Sequence, residues 1–193
     1  AYLLENAKAE EDTTPTADTT SVKKEEKKKK EKGNELVIMK VIEGKAFRFE
    51  NVTDYEVSRN GVRFGFITAI GDSIDSTRVY QFDTEKQLAE KLFEQPGEAK
   101  QIALDDEGKQ LAFVYSADTA DAKNYDLLYW RAKNDQANII IDSTHAGLTQ
   151  EWRVSEHRKP GFSRDGEKLY FGTAPKVEPE PKDTLLKEEK VQV

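Results

Sequence analysis

From residue 35 onward, short apolar segments alternate with residues that favour turns. Each segment holds three to five mostly apolar residues and is followed within a few positions by Gly, Asp, Asn or Pro. This spacing is typical of β-strands joined by tight turns, and the Val, Ile, Phe and Tyr content of many segments favours the same structure. The segments lie at residues 36–39, 64–67, 79–82, 111–115, 127–130, 139–141 and 169–171. The pattern therefore predicts an all-β fold.

One stretch, residues 84–95 with the sequence TEKQLAEKLFEQ, competes with this interpretation. It begins with a threonine that could cap a helix, and its composition suits a helical turn. The strands predicted on both sides favour a β-hairpin instead, so we expect residues 84–95 to contain a turn and a returning strand.

A three-copy repeat decides the architecture. In each copy an apolar residue precedes a glycine by four positions, and two more apolar residues follow the glycine at three and five positions. Positions two apart on a strand face the same surface of a sheet, and the glycine supplies the positive φ of a hairpin turn. The copies run over residues 57–66, 104–113 and 162–171, with turn glycines Gly61, Gly108 and Gly166. The repeat therefore predicts three equivalent hairpins.

The glycines lie 47 and 58 residues apart (61 to 108 and 108 to 166), a spacing that suits four-stranded antiparallel blades of a β-propeller. We expect about three blade-equivalents, too few to close a ring, and therefore an open partial propeller. The predicted division is a strand end at 1–6, a disordered charged insertion at 7–34, the last strands of one blade at 35–51, blades at 52–98 and 99–141, an inter-blade loop at 142–157, and the start of a further blade with an extended tail at 158–193.

Composition bears mainly on the insertion at 7–34, which has no aromatic residue. Its lysine run at 23–32 contains three glutamates, which reduce the positive charge of the run. Such a segment buries too little apolar surface to offset chain entropy.

Residues 1–34 sum to zero charge, so the net charge of −7 belongs to the remaining chain. An acidic body disfavours nucleic-acid binding, and no apolar run reaches the length of a membrane span. The start of the chain reads like the tail of a strand, from which we expect the native N-terminus to lie upstream.

The chemical motifs are weak. The stretch from Gly161 to Gly166 resembles a nucleophile elbow, but Asp165 stands where that motif has its second glycine, so we expect Ser163 to be a turn residue. The two histidines, His145 and His157, have no zinc-ligand spacing, and cysteine is absent. A loop with Asp118, Asp121 and Asn124 offers oxygen ligands but lacks the glycine and glutamate of a calcium-binding loop. We expect no catalytic residue, no metal site and no cofactor.

The inter-blade loop at 142–157 carries the one candidate contact site. It contains Glu151, Trp152 and Glu156, and loops of this kind often carry function. The carboxylates could hold the free amino terminus of a peptide. The alternative, which the residue types favour, is that Trp152 caps a blade and the glutamates are solvated.

Four stretches resemble a known family. They are PGEAKQIALDDEGKQLAFVYSADT at residues 96–119, YDLLYW at 125–130, WRVSEH at 152–157 and FSRDGEKLYFGTAP at 162–175. Together they are similar to the propeller region of prolyl-oligopeptidase-type serine peptidases (peptidase family S9) of Bacteroidetes, over roughly residues 35–193. The last stretch is the most specific, whereas the shorter pattern D-G-x-x-L-x-F is shared with TolB-like propellers.

The resemblance implies a longer parent protein in which a C-terminal α/β-hydrolase domain carries a Ser-Asp-His triad and the propeller is a lid that filters peptide substrates by size. It implies no catalytic residue in this chain, because no position matches the hydrolase motifs. It favours an exported, periplasmic location and leaves the cytoplasm open. The alternative function is a TolB-like propeller that acts as a protein–protein interaction scaffold without chemistry.

Overall fold

The computed structural model describes residues 2–4, 33–70, 76–118 and 122–177, and within these ranges every regular element is a β-strand. The charged insertion expected at 7–34 falls almost wholly outside the described residues, as does the tail beyond residue 177. The strands are β1 (Tyr2–Leu4), β2 (Asn34–Lys40), β3 (Lys45–Val57), β4 (Arg63–Ile70), β5 (Ser76–Asp83), β6 (Leu88–Pro96), β7 (Glu98–Leu104), β8 (Gln110–Ser116), β9 (Asp126–Arg131), β10 (Asn138–Ile141), β11 (Trp152–Val154), β12 (Gly161–Phe162), β13 (Leu169–Tyr170) and β14 (Thr173–Pro175).

The first six strands form one antiparallel sheet in chain order, and this sheet turns a corner within β3. The first half of β3 pairs with β2, the second half pairs with β4, and Val52 is aligned with a residue of each neighbour. Asn51, just before it, has a φ of 57°, and the register shifts between Val52 and Asp54. The bulge bends the strand. We therefore call β1, β2 and residues 45–51 blade I, and residues 52–57 with β4, β5 and β6 blade II.

The second sheet is a complete four-stranded blade, with the order β10-β9-β8-β7. We call it blade III. Two short antiparallel pairs, β11 with β14 and β12 with β13, follow it, and we call them blade IV. The all-β, open partial propeller predicted from the repeat is confirmed. Residues 84–95 form the predicted hairpin, because β6 returns along β5 in antiparallel register.

Three apolar clusters fill the seams between successive blades. Seam I–II contains Leu36, Ile38, Val52, Phe64, Phe66 and Phe82, with Phe47, Phe49, Tyr55 and Tyr80 packed against them. Seam II–III contains Ile67, Val79, Leu92, Ala99, Ile102, Leu111, Phe113, Tyr115, Leu128, Trp130 and Ala137. Seam III–IV contains Ala112, Val114, Tyr125, Leu127 and Val154, with Ile141, Phe162, Leu169 and Phe171 packed against them. Burial between stacked sheets is therefore what holds the blades together.

The repeat explains how one strand serves two seams. The two apolar positions after each turn glycine face the preceding blade: Leu111 and Phe113, for example, lie in seam II–III. The residue between them faces the other way, so Ala112 lies in seam III–IV. At the same position of the first copy, a Cβ on Gly65 would come within 2.7 Å of Leu111 Cδ1. A small residue there lets adjacent blades approach closely. In the third copy the position holds Tyr170, which is 58% exposed.

The three predicted hairpin turns have the same geometry. In each, the glycine N–H donates to the carbonyl three residues earlier, at Ser58, Asp105 or Ser163, over 2.8–3.1 Å. The three glycines have φ values of 72°, 70° and 69°. Ser163 Oγ accepts a 2.9 Å hydrogen bond from Lys168 N, as Ser58 Oγ does from Arg63 N, so the prediction that Ser163 is a turn residue is confirmed.

Neighbouring turns also touch one another, which the repeat did not predict. A Cβ on Gly108 would lie 2.8 Å from Arg63 Cβ, and a Cβ on Gly166 would lie 2.7 Å from Gln110 Nε2. Arg63 and Gln110 occupy the same repeat position, two residues after their own glycine. Each of these glycines thus has a second reason to lack a side chain, because it lies against the hairpin of the preceding blade. Gly61, in the first copy, has open space around it.

Candidate functional site

Strands of three successive blades, β3, β7 and β12, meet along one edge of the structure. Strand β7 is an edge strand of blade III, and it contacts both β3 of blade II and β12 of blade IV. Polar groups, instead of apolar ones, connect the strands there. We call this surface the inner edge and define it by Asp54, Glu56, Lys100, Gln101, Glu156 and Lys159.

Hydrogen bonds tie each inner strand to the next. Asp54 of blade II accepts a bond of 3.1 Å from the backbone N–H of Ile102 in blade III. Gln101, whose φ of 60° marks a bulge in β7, donates from Nε2 to the carbonyl of Glu156 over 2.6 Å. The bulge thus turns Gln101 towards the segment that leads into blade IV.

A further contact spans two blades at once. The Lys159 ammonium, which lies just before β12, forms an ion pair with the Glu56 carboxylate in β3. These residues are 103 positions apart and belong to blades II and IV. The inner strands of three blades are therefore tied together on the side where they converge.

Where the inner edge meets seam III–IV, five side chains form a charged network: Glu98, Lys100, Lys123, Tyr125 and Glu156. Glu98 Oε2 accepts hydrogen bonds from Lys123 Nζ at 2.5 Å and from the Tyr125 hydroxyl at 2.8 Å. Lys100 Nζ lies 3.4 Å from Glu98 Oε1 and 3.0 Å from Glu156 Oε2. The same ammonium is 5.6 Å from the centre of the Tyr125 ring, within cation–π range. We call this group the Glu98 network.

The protonation equilibria follow from these contacts. Burial alone would raise the pKa of Glu98, yet the pKa lies below its ordinary value because Lys123 and Tyr125 donate hydrogen bonds to the carboxylate. The pKa of Glu156 also lies below its ordinary value: burial raises it, but the hydrogen bond and charge of Lys100 lower it further. Burial and the bond to Glu98 both raise the pKa of Tyr125, which keeps its hydroxyl protonated. The network thus stays ionised, with its tyrosine as a donor.

The structure separates the three residues of the candidate contact site. Glu156 lies in the Glu98 network, where Lys100 already neutralises its charge. Glu151 lies before β11 with a φ of 61°; its backbone carbonyl accepts from Lys176 N at 2.7 Å, and its side chain is exposed. Trp152, 37% exposed, is aligned with Pro175 across β11 and β14. Glu151 precedes β11 and Glu156 follows it, and the two carboxylates have different surroundings.

Several other sequence motifs take structural positions. His145 Nδ1 accepts a 3.1 Å bond from Gly147 N within an exposed loop. In the proposed oxygen-ligand loop, Asp118 accepts bonds from both nitrogens of Asn124, at 2.8 and 3.3 Å, while Asp121 lies outside the described residues. Among the residues that the structure describes, no group of three or more His, Asp or Glu side chains is arranged to hold a metal ion.

A surface groove of about 430 Å³ lies between blade I and the outer part of blade II. Its lining includes Phe49, Tyr80 and two arginines. Arg48 pairs with Glu35 and Arg78 pairs with Glu94, each at 2.8 Å. Because neighbouring carboxylates neutralise both arginines, the groove offers no unpaired cation to an anionic ligand.

The Glu98 network was not predicted from the sequence, apart from Glu156. The one local signal is the pair Glu98 and Lys100, which lie two apart at the start of a predicted strand and so point to the same face. Lys123 and Tyr125 come from the loop after β8, and their approach to Glu98 depends on the pairing of β7, β8 and β9.

No family model and no curated protein sequence matches this chain. Solved structures similar to it include the β-propeller domain of the Trilobed protease from Pyrococcus furiosus, with 15% identity and a TM-score of 0.46 over 66% of this chain and 40% of that one. They also include the tricorn protease, with 17% identity and a TM-score of 0.49 over 80% of this chain and 14% of that one. TolB from Acinetobacter baumannii shows 20% identity and a TM-score of 0.45 over 71% of this chain and 31% of that one.

The chain thus spans less than half the length of each of these proteins, and at such identities the similarity concerns the fold alone. Within the described ranges, no helix is long and apolar enough to cross a membrane.

Proposed function

We propose that this chain is the non-catalytic propeller segment of a prolyl-oligopeptidase-type serine peptidase. In this role it is a lid that admits peptides to a C-terminal α/β-hydrolase domain of the same parent chain and excludes folded proteins. The observation that carries the proposal is the polar inner edge, where strands of blades II, III and IV are joined by hydrogen bonds and an ion pair.

A passage for peptides requires a wall that stays hydrated and does not adhere to apolar side chains. The inner edge meets this requirement, because Asp54, Glu56, Lys100, Glu156 and Lys159 bear charge of both signs there. The apolar surface of the blades is directed into the seams instead. A mixed-charge wall favours extended polar chains without selecting one net charge.

The size limit would come from the ties between inner strands. The ion pair of Glu56 with Lys159 holds blades II and IV together on the inner side. The pair favours the arrangement in which the inner strands stay together, and a wider opening would have to break it. In this proposal the pair restricts the opening, and the hydrolase domain supplies all bond-breaking chemistry.

The proposed peptide contact rests on Glu151, because its carboxylate is exposed and has no partner among the described residues, whereas Glu156 pairs with Lys100. Trp152 beside it offers an aromatic surface that is 37% exposed. In the longer protein, we expect Glu151→Gln to raise KM for peptides with a free amino terminus and to leave acetylated peptides unchanged. If the Glu151→Gln variant and the unaltered protein had the same KM for peptides with a free amino terminus, this contact would be contradicted.

The test of the size filter uses the longer protein that contains this chain. The double variant Glu56→Gln, Lys159→Gln removes the ion pair between blades II and IV. We expect hydrolysis of a long unfolded polypeptide to rise several-fold relative to hydrolysis of a tripeptide substrate. The measurement is the ratio of kcat/KM for the two substrates.

Arg59→Gln is the matched control, since it also breaks an inter-blade ion pair, with Asp106 at 3.3 Å, but on the hairpin-turn side. The control should leave the ratio unchanged. If the ratio of kcat/KM for the long polypeptide to that for the tripeptide were also unchanged in the double variant, the size-filter role would be contradicted. A parent protein without a serine hydrolase domain would remove the peptidase assignment altogether.

The second candidate function is a TolB-like interaction scaffold. The turn between β2 and β3 favours it, because Val41 and Ile42 are 85% and 101% exposed. If this function holds, Val41→Ser with Ile42→Ser abolishes the capture of a protein partner by the longer chain, and that chain has no peptidase activity.

A further inference from the structure

Arg153 in β11 is buried, with only 4% of its surface exposed, and it has no ion pair with a carboxylate in the described part of the chain. Its Nη1 donates to the carbonyl of Pro175 at 2.9 Å and to Asn124 Oδ1 at 3.3 Å. Its Nε is buried without any acceptor, alone among the buried side-chain nitrogens and oxygens of the described residues. Nη1 therefore makes both hydrogen bonds, and Nε makes none.

A buried lysine or histidine can lose its proton and become neutral, but a guanidinium stays charged, so Arg153 keeps a buried positive charge. An uncompensated buried charge is costly, and a neutral carbonyl and an amide oxygen compensate it only in part. The carboxylates on either side of seam III–IV have other partners: Glu98 and Glu156 belong to the Glu98 network, and Asp118 accepts from Asn124.

We propose that Arg153 is the binding site for a ligand carboxylate, which would accept hydrogen bonds from the Nε edge of the guanidinium. The planar fork of an arginine matches the two oxygens of a carboxylate, and such charge-assisted pairs are among the strongest hydrogen bonds in proteins. A singly charged anion fits this site. The surrounding chain carries a net charge of −7, and Lys100 and Lys123 are already paired, so a doubly charged phosphate would meet stronger repulsion.

In this proposal the ligand reaches Nε, which is buried in the structure, after the residues around Asn124 move. The bond of Asn124 to Arg153 is the longer of the two that Nη1 makes, and Asn124 lies in the segment between Ser116 and β9, outside any strand. The carbonyl of Pro175 is held by the pairing of β11 with β14, so it keeps the guanidinium oriented. A carboxylate arriving from the loop side thus meets a preoriented donor.

The chemistry points to two sources of this carboxylate, the C-terminus of a peptide and an aspartate or glutamate side chain within one. That the ligand is a peptide rests on the proposed function; the carboxylate site rests on the geometry of Arg153 alone. The binding test needs no hydrolase domain, so failure of peptidase activity in the longer protein and failure of this site are separate results.

The experiment follows the Nε–H signals of the arginines by NMR in the 193-residue chain labelled with nitrogen-15. The Arg153 signal is the one that Arg153→Lys removes. Three probes are added at constant ionic strength: N-acetyl-diglycine with a free carboxylate, its C-terminal amide, and N-acetyl-aspartate amide. We expect both carboxylates to shift the Arg153 signal to saturation, and the C-terminal amide to leave it in place.

Arg153→Lys keeps the positive charge but lacks the planar fork. We expect its affinity for N-acetyl-diglycine, followed by backbone amide signals of β11 and β14, to fall roughly tenfold or more. Arg164→Lys, in an exposed turn, is the control and should bind as the unaltered chain does. Saturation by only one of the two carboxylates would still support the site and would identify the source.

The proposal is overturned if the Arg153 signal does not saturate with either carboxylate, or if chloride shifts it equally. Equal binding by the Arg153→Lys variant would overturn it as well. Should that variant not fold, the titration of the unaltered chain decides alone, with the Arg153 signal assigned through its coupling to the backbone.

Discussion

The two seams on either side of blade III are built differently. Strand β8 directs Leu111, Phe113 and Tyr115 into seam II–III, where they join the larger of the two apolar clusters. It directs Ala112 and Val114 into seam III–IV, where the cluster is smaller. At its inner end, seam III–IV adds the Glu98 network and the buried Arg153. One strand thus joins two neighbours by different physical means.

This difference indicates that the two faces of blade III have different roles. Hydrophobic burial is non-directional and scales with area, so seam II–III holds its blades together with little dependence on pH or salt. Ion pairs and hydrogen bonds depend on geometry, and their net contribution to stability is small. Seam III–IV therefore contributes less stability but holds more polar and charged groups. Both the peptide contact and the carboxylate site are proposed beside it, in β11 and the residues around that strand.

The largest expected effect comes from emptying seam II–III. Phe113→Ala removes a fully buried ring that lies 5.4 Å from the Phe93 ring, and we expect it to lower the free energy of unfolding by about 3–5 kcal/mol. Val114→Ala, the next residue, removes two methyl groups from seam III–IV and should cost about 1.5 kcal/mol. Urea denaturation of both variants gives the comparison. Equal losses would show that the two seams contribute alike.

The second prediction fills the close approach between blades II and III. In Gly65→Ala the new Cβ would lie 2.7 Å from Leu111 Cδ1 and 3.0 Å from Ile102 Cδ1. We expect a net loss of about 2 kcal/mol, because side chains must leave their packed positions. Tyr170→Ala changes the same repeat position where it is exposed, and thermal unfolding should show a change within about 0.5 kcal/mol. If Gly65→Ala were neutral, the seam would be looser than described.

The third prediction tests the polar part of seam III–IV. Tyr125→Phe removes the 2.8 Å hydrogen bond to Glu98 and leaves the ring in place. We expect a loss of about 1 kcal/mol, because Lys123 and Lys100 still compensate the carboxylate. Tyr170→Phe, at an exposed tyrosine, is the control. A loss as large as that of Phe113→Ala would contradict the assignment of most stability to apolar burial.

The smallest effect concerns Asp126, at the start of β9. Burial, together with the charges of Asp142 and Asp118, raises the pKa of Asp126 from 3.8 to about 6. A raised carboxyl pKa means that the folded chain binds the proton more tightly than the unfolded chain. The contribution of Asp126 to stability is therefore lowest above about pH 6 and rises as the pH falls from there towards 3.8.

Asp126→Asn should remove that dependence and stabilise the chain at pH 7 by less than about 1 kcal/mol, because solvent screens a half-exposed carboxyl. Below the unfolded-state pKa the variant and the unaltered chain should be equally stable. Denaturation curves across this pH range measure the difference. A variant that is less stable at pH 7 would mean that the carboxylate has a partner that outweighs the two aspartates.

Much of the fold follows from local pattern. The positions around Gly61, Gly108 and Gly166 specify where the chain turns and which strand residues face the same surface, since both depend on neighbouring residues. A blade boundary was predicted between residues 51 and 52, but not that one continuous strand, β3, crosses it, because this depends on the pairing of Val52 with two partners. The contacts of Gly108 with Arg63 and of Gly166 with Gln110 were likewise not foreseen, because they join turns about 50 residues apart.

The candidate site was less accessible to sequence reasoning. Glu151, Trp152 and Glu156 were grouped because they are close in sequence, but Glu151 is exposed whereas Glu156 pairs with Lys100. Lys100 and Tyr125, which complete the environment of Glu156, come from other strands of blade III. The unpaired Nε of Arg153 is also invisible in the sequence, because an arginine in a short strand ordinarily extends to solvent.

By itself the sequence determined the all-β class, the positions of the three repeated hairpins and which of their strand residues face the same surface. These features depend on residues within about ten positions of one another, and local sterics and alternation suffice to specify them. The tertiary structure alone decided which charges pair at the inner edge and which arginine is left buried and incompletely bonded. Those outcomes depend on the distances between separate strands, which blade stacking sets and no local pattern encodes.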